Sequence, residues 1–178
     1  MAFDLGGLLQ QYLGGGNAAP GNTAQVEDHF HQVAQSAPSG LLTDGLSAAF
    51  RSNQTPPFGQ MVGQLFGNGN SQQQSGMMGT LLASLTPAAI AALGSSGALA
   101  NLMGKGGTVN TTPTPEQMKT LTPDQVAQIA THAEQHSPGV VDQMSAFYAE
   151  HTGLIKTLGG AALAIALAKM ANGMKNSA

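Results

Sequence analysis

An all-α fold follows from three features of the sequence. Apolar residues recur three and four apart in segment after segment, a Thr-Pro pair stands at the head of three such segments, and Gly, Pro and Asn cluster between them. Spacing of three and four puts side chains on one face of a helix. Thr before Pro supplies a cap followed by the residue best suited to the first helical position.

In chain order, Phe3, Leu5, Leu8, Leu9, Tyr12 and Leu13 give the first segment an apolar side, and Gly14-Gly15-Gly16 ends it. Residues 1–18 are thus expected to be an amphipathic helix and a Gly-rich tether, docked on the chain's own domain or on a like copy. Peripheral contact with a membrane surface is the alternative for this helix. A second helix starts at Asn22 or Thr23 and is expected to bury Val26, Phe30, Val33, Ala34 and Ala37. "SGLLTDGLSAAF" follows as a third, ending before "RSNQTPP". In "PPFGQMVGQLFGNGN" the buried set is Phe58, Met61, Val62, Leu65 and Phe66. Met77, Met78, Leu81 and Leu82 mark the next helix, and Thr86-Pro87 opens a short one, which closes a helical region over 22–95. None of these helices is long enough to be stable alone, so packing must hold them.

Residues 96–120 are rich in Gly, Thr, Asn and Pro, and a flexible linker is expected there. Beyond it, 121–173 is expected to be a three-helix domain. Its first helix is opened by Thr122, Pro123 and Gln125, a capping-box pattern. The second carries Val140, Val141, Met144, Phe147 and Tyr148 on one side. The last runs from about Thr152 to Ala171, where Gly159, Gly160 and the alanines permit close helix approach.

Charge narrows the function. Only 8% of the residues are charged, 6 basic and 9 acidic, for a net charge of −3, against about 25% charged in an average domain. No Lys/Arg cluster exists to displace counterions from a phosphate backbone, so no nucleic-acid partner is expected. There are no cysteines, which removes disulfides, thiol nucleophiles and thiolate metal sites. The start carries an acid at Asp4 and no basic leader, a poor secretory signal, and a cytoplasmic location is expected. The most apolar run, "TLGGAALAIALA", is short of the about twenty residues that span a bilayer, so it is expected to be a buried helix and not a transmembrane segment.

Two histidine groups are the strongest chemical signals. In "THAEQH", His132 and His136 lie one turn apart on the border of the face formed by Val126, Ile129, Ala130 and Ala133. Two imidazoles so placed can share a metal, with His151 or Glu150 as the third ligand. The spacing is not the H-e-x-x-H of zinc peptidases, and the simpler role is to cover apolar area at the edge of a helix. In "VEDHFHQV", Glu27 and His31 are one turn apart and read as a solvated ion pair. No phosphate loop, G-x-S-x-G elbow or calcium loop is present, and no cofactor is implied.

The stretches "MAFDLGGLLQQYLG", "LSAAFRSNQTPPFGQMVGQLFG" and "LTPDQVAQIATHAEQHSPGVVDQMSAFYAEHTGLIKTLGGAALAIALAKMA" together resemble an uncharacterised group of conserved small bacterial proteins. The N-terminal half is also similar to the YidB-like family, in composition as much as in motif. The resemblance implies a bacterial, helical protein and carries over no catalytic residue. The expected function is non-enzymatic: self-association or binding of a protein partner through Phe3, Leu5, Leu8, Leu9, Tyr12, Gly159, Gly160 and Ile165. The alternative is a metal-binding module or metal-dependent enzyme built on His132, His136 and His151.

Overall fold

The computed structural model describes residues 5–13, 23–104 and 106–176. Among them are eleven α-helices: α1 (Leu5–Leu13), α2 (Thr23–Ser36), α3 (Ser39–Phe50), α4 (Phe58–Asn68), α5 (Ser71–Ser84), α6 (Pro87–Ser95), α7 (Pro115–Lys119), α8 (Pro123–His136), α9 (Val140–Glu150), α10 (Thr152–Ile155) and α11 (Gly160–Asn176). No strand occurs in the described residues; Met103 and Val109 form an isolated antiparallel bridge. The all-α class is therefore observed.

The helix starts show why the chain folds this way locally. Thr86, Thr114 and Thr122 each accept a hydrogen bond from the backbone N–H three residues on, at Ala89, Gln117 and Gln125, and each is followed by Pro at the first helical position. Gln117 and Gln125 return a bond to the cap backbone, completing capping boxes. Asn70 does the same for α5 with Gln73. Each cap satisfies donors that the helix itself leaves unpaired.

By contacts the chain divides into two compact units, Met1–Pro56 with Ser145–Ala178, and Pro57–Met144. The second cut falls inside α9. Residues 96–120 lie wholly within the Pro57–Met144 unit, and the 121–173 stretch is shared between the two units. In place of a linker, 96–120 buries Leu99, Leu102 and Met118. Its backbone is tied by Asn110 N–H to Leu102 O at 3.3 Å and by the Asn101 amide to Thr120 O at 3.1 Å. The few apolar residues in this polar stretch fall where they can be buried, which composition alone does not reveal.

In the unit formed by the chain ends, α11 is central and packs against α3, α1 and α2. Leu42, Leu46, Phe50, Leu163, Leu167, Met170 and Tyr148 are buried there. A Cβ on Gly45 would come within 2.8 Å of the Ala166 carbonyl oxygen, so α3 and α11 meet at backbone range. The final helix is not continuous from Thr152. α10 and a 3₁₀ turn at Lys156–Leu158 end at Gly159, whose φ of +81° is a left-handed value that favours glycine, and α11 begins after it.

In the other unit the main pair is α4 with α8, and α5 adds contacts to α7 and α8. Gly59, Gly63 and Gly67 repeat every four residues along α4, facing Pro123, Ala127 and Thr131, which repeat every four along α8. Met61, Met77 and Met78 are fully buried as core fillers, whereas Met103 is 37% exposed.

Candidate functional site

α1 settles on its own chain. Leu9 and Tyr12 are buried, and the Tyr12 hydroxyl shares a hydrogen bond of 2.7 Å with Nδ1 of His29 on α2, the two rings meeting edge to face. Burial raises the Tyr12 pKa above its ordinary value. Leu8 is half-buried. Phe3 lies outside the described residues, as does the side chain of Leu5. At the other end of the chain, Gly159 serves the helix break, Gly160 packs on Thr23 with a would-be Cβ 3.1 Å from its methyl group, and Ile165 is half-buried. Leu9, Tyr12 and Gly160 thus spend their contacts inside the unit.

Between α1 and α11 a cleft of about 570 Å³ remains open. Its α1 wall is the i, i+3, i+4, i+7 face that includes Leu9, Gln10 and Leu13; its α11 wall is Ala171, Met174 and Lys175. Leu13 is 38% exposed, large for an apolar side chain beside a core. Among the described residues, Lys175 is the one charged residue lining the cleft. Among the described residues, neither Lys175 nor Gln10 has a hydrogen-bond or ion-pair partner. Leu9 and Leu13 were legible in the sequence as part of an apolar helix face, whereas Met174 and Lys175 lie beyond the end expected for the last helix, about Ala171. The pairing of two helices from opposite ends of the chain was not legible, so Gln10, Ala171, Met174 and Lys175 carried no signal on their own.

The histidine pair on α8 is geometrically close. The His132 and His136 rings are parallel within 3° with centroids 6.3 Å apart. Among the described residues, His132 Nδ1 is buried with no hydrogen-bond partner. A ligating imidazole normally donates its other N–H to a carboxylate or carbonyl, which fixes the tautomer, and His132 lacks that outer partner. His151 holds its Nδ1–H on the Phe147 carbonyl at 2.9 Å and stacks on the Phe147 ring at 4.4 Å. Among the described residues, no three His, Asp or Glu side chains gather as a metal-ligand set; His132 and His136 belong to the Pro57–Met144 unit and His151 to the other. His31 takes Gln35 as its partner at 2.9 Å instead of Glu27.

The orphaned Nδ1 has a measurable consequence. An unpaired buried polar atom costs about 1–3 kcal/mol, and His132 is half-buried, so the lower end applies. A His132→Leu chain is expected to be more stable by about 1 kcal/mol, with a higher urea midpoint followed by far-UV circular dichroism. A lowered midpoint would mean that the imidazole makes a contact through solvent.

Among the described residues no single helix is long and apolar enough to cross a membrane. α5 and α6 together reach that length and composition but are bent by 117°, and Met77, Met78, Leu81, Leu82, Ala89 and Leu93 are buried within their unit. Comparison with protein-family models, with curated proteins and with solved structures finds no match to this chain.

Proposed function

We propose that this chain is a non-enzymatic helical protein that works by association, in the first place with copies of itself. The observation that carries this is the sparse charge: 6 basic and 9 acidic residues in 178 leave few like charges to hold copies apart. Leu13 and Met103 add large apolar side chains to the exposed surface. Close helix contact through glycine and alanine, as at Gly45 and Ala166, is a packing style that two chains can use as readily as one.

Light scattering on untagged, full-length protein tests this over a dilution series, at low salt and at about 1 M salt, where exposed charges are screened. The expected average mass exceeds the 18.0 kDa of one chain at high concentration and falls on dilution. High salt should leave the assembly intact, because apolar contact and not ion pairing holds it. A mass of 18.0 kDa at every concentration overturns the proposal.

A further inference from the structure

We propose that the cleft between α1 and α11 is a binding site for a single-tailed anionic amphiphile, a long-chain carboxylate, with its tail against Leu9, Leu13, Ala171 and Met174 and its head group toward Lys175. This site does not depend on the self-association proposed above.

Size selects the occupant first. The cleft of about 570 Å³ lies within the roughly 300–1,000 Å³ typical of small-molecule sites. A stable protein partner needs about 20–30 residues on each side, far more than line this cleft. Among the described residues the walls contain no aromatic ring, and Leu9, Leu13, Ala171 and Met174 give them an apolar surface, which suits a flexible hydrocarbon tail over a flat ring system. Leu13 remains 38% exposed, so a tail laid beside it removes apolar surface from water.

Charge selects the head group. Lys175 is exposed and, among the described residues, unpaired and the single charged side chain on the cleft. It lies in the last turn of α11, where the free carbonyls repel an anion. The ammonium therefore has to supply the attraction for a carboxylate. The unpaired amide of Gln10 offers a further donor on the opposite wall.

The test is calorimetric titration of untagged full-length protein with dodecanoate below its micelle concentration, alongside dodecylammonium and acetate. Dodecanoate is expected to saturate at one per chain with a negative heat-capacity change. Dodecylammonium and acetate should bind at least tenfold more weakly, since each lacks one half of the recognised chemistry. Lys175→Glu and Leu13→Asn should each weaken dodecanoate at least tenfold, and both residues are exposed, so the fold is not at risk. Equal binding of dodecylammonium, absence of saturation, or unchanged affinity in both variants overturns the proposal. The titration is run at two protein concentrations with native mass measured in the same solutions. An affinity per chain that stays fixed belongs to the cleft, and one that follows the average mass belongs to assembly and overturns the site.

Discussion

Replacing Gly59 by alanine is expected to destabilise the protein, although alanine is the better helix former. A Cβ on Gly59 would sit 2.5 Å from the carbonyl oxygen of Ala127 and collide with Oγ1 of Thr131. That hydroxyl is already bonded to the same carbonyl at 2.8 Å, so it cannot swing away without losing its acceptor. Relief requires α4 and α8 to separate, and overpacking of this kind costs about 1–3 kcal/mol. Intrinsic propensity returns up to about 1 kcal/mol, so the net loss is about 1–2 kcal/mol. Gly63→Ala should behave alike, since its Cβ would approach the Pro123 carbonyl oxygen to 2.6 Å. Gly67 is the internal control: its Cβ would meet Pro123 Cγ at 3.4 Å, close to ordinary contact, and Gly67 is exposed. Gly67→Ala is expected to be neutral or slightly stabilising. Urea unfolding of the three single variants checks the ordering. The double variant at Gly59 and Gly63 should lose less than the sum of the two, because helices pushed apart at one site already clear the other. A Gly59→Ala chain as stable as the parent would show that α4 and α8 are not this close.

These contacts also show what could be read from the sequence and what could not. Element type was legible because it depends on neighbours in the chain: the Thr caps at 86, 114 and 122 form ahead of Pro as their spacing requires, and Gln117 and Gln125 close capping boxes at the last two. The apolar stripes of α4, α5 and α8 are the residues buried in the fold. Which stripe faces which is a long-range property and was hidden. The row Gly59, Gly63, Gly67 is visible in the sequence, yet only the facing row Pro123, Ala127, Thr131 makes it a packing surface. The boundary between units was hidden for the same reason. Leu99, Leu102 and Met118 are too sparse to outweigh the Gly and Thr around them until a partner surface receives them. At the candidate cleft, the apolar face of α1 was legible, whereas its pairing with Ala171, Met174 and Lys175 joins the two ends of the chain. The histidine pair was legible as a pair, but the missing partner of His132 Nδ1 depends on how the side chain turns.

Tyr148 is expected to make the protein sensitive to alkali, and its removal to cost more than any other single truncation discussed. It is fully buried on α9, with the Phe50 ring centroid at 5.7 Å and the Phe147 ring at 5.6 Å. Truncating a buried aromatic ring to alanine leaves a cavity and costs about 3–5 kcal/mol, so Tyr148→Ala should lose a large share of the whole stability. Burial also raises the Tyr148 pKa well above the ordinary phenol value of 10.0, because a phenolate cannot be solvated there. In the unfolded chain the same phenol ionises near 10.0. Below that pH both states are neutral and the full stability is present. Above it the unfolded state loses its proton while the folded state keeps it, so stability falls by about 1.4 kcal/mol for each further pH unit until the folded pKa is reached. Tyr12 is shifted in the same direction and adds to the fall. Tyr148→Phe keeps the ring and removes the titration. Urea unfolding between about pH 8 and about pH 11 should therefore show a steep loss in the parent chain and a shallower one in Tyr148→Phe. Equal slopes in the two chains would mean that the Tyr148 hydroxyl reaches water in the folded state.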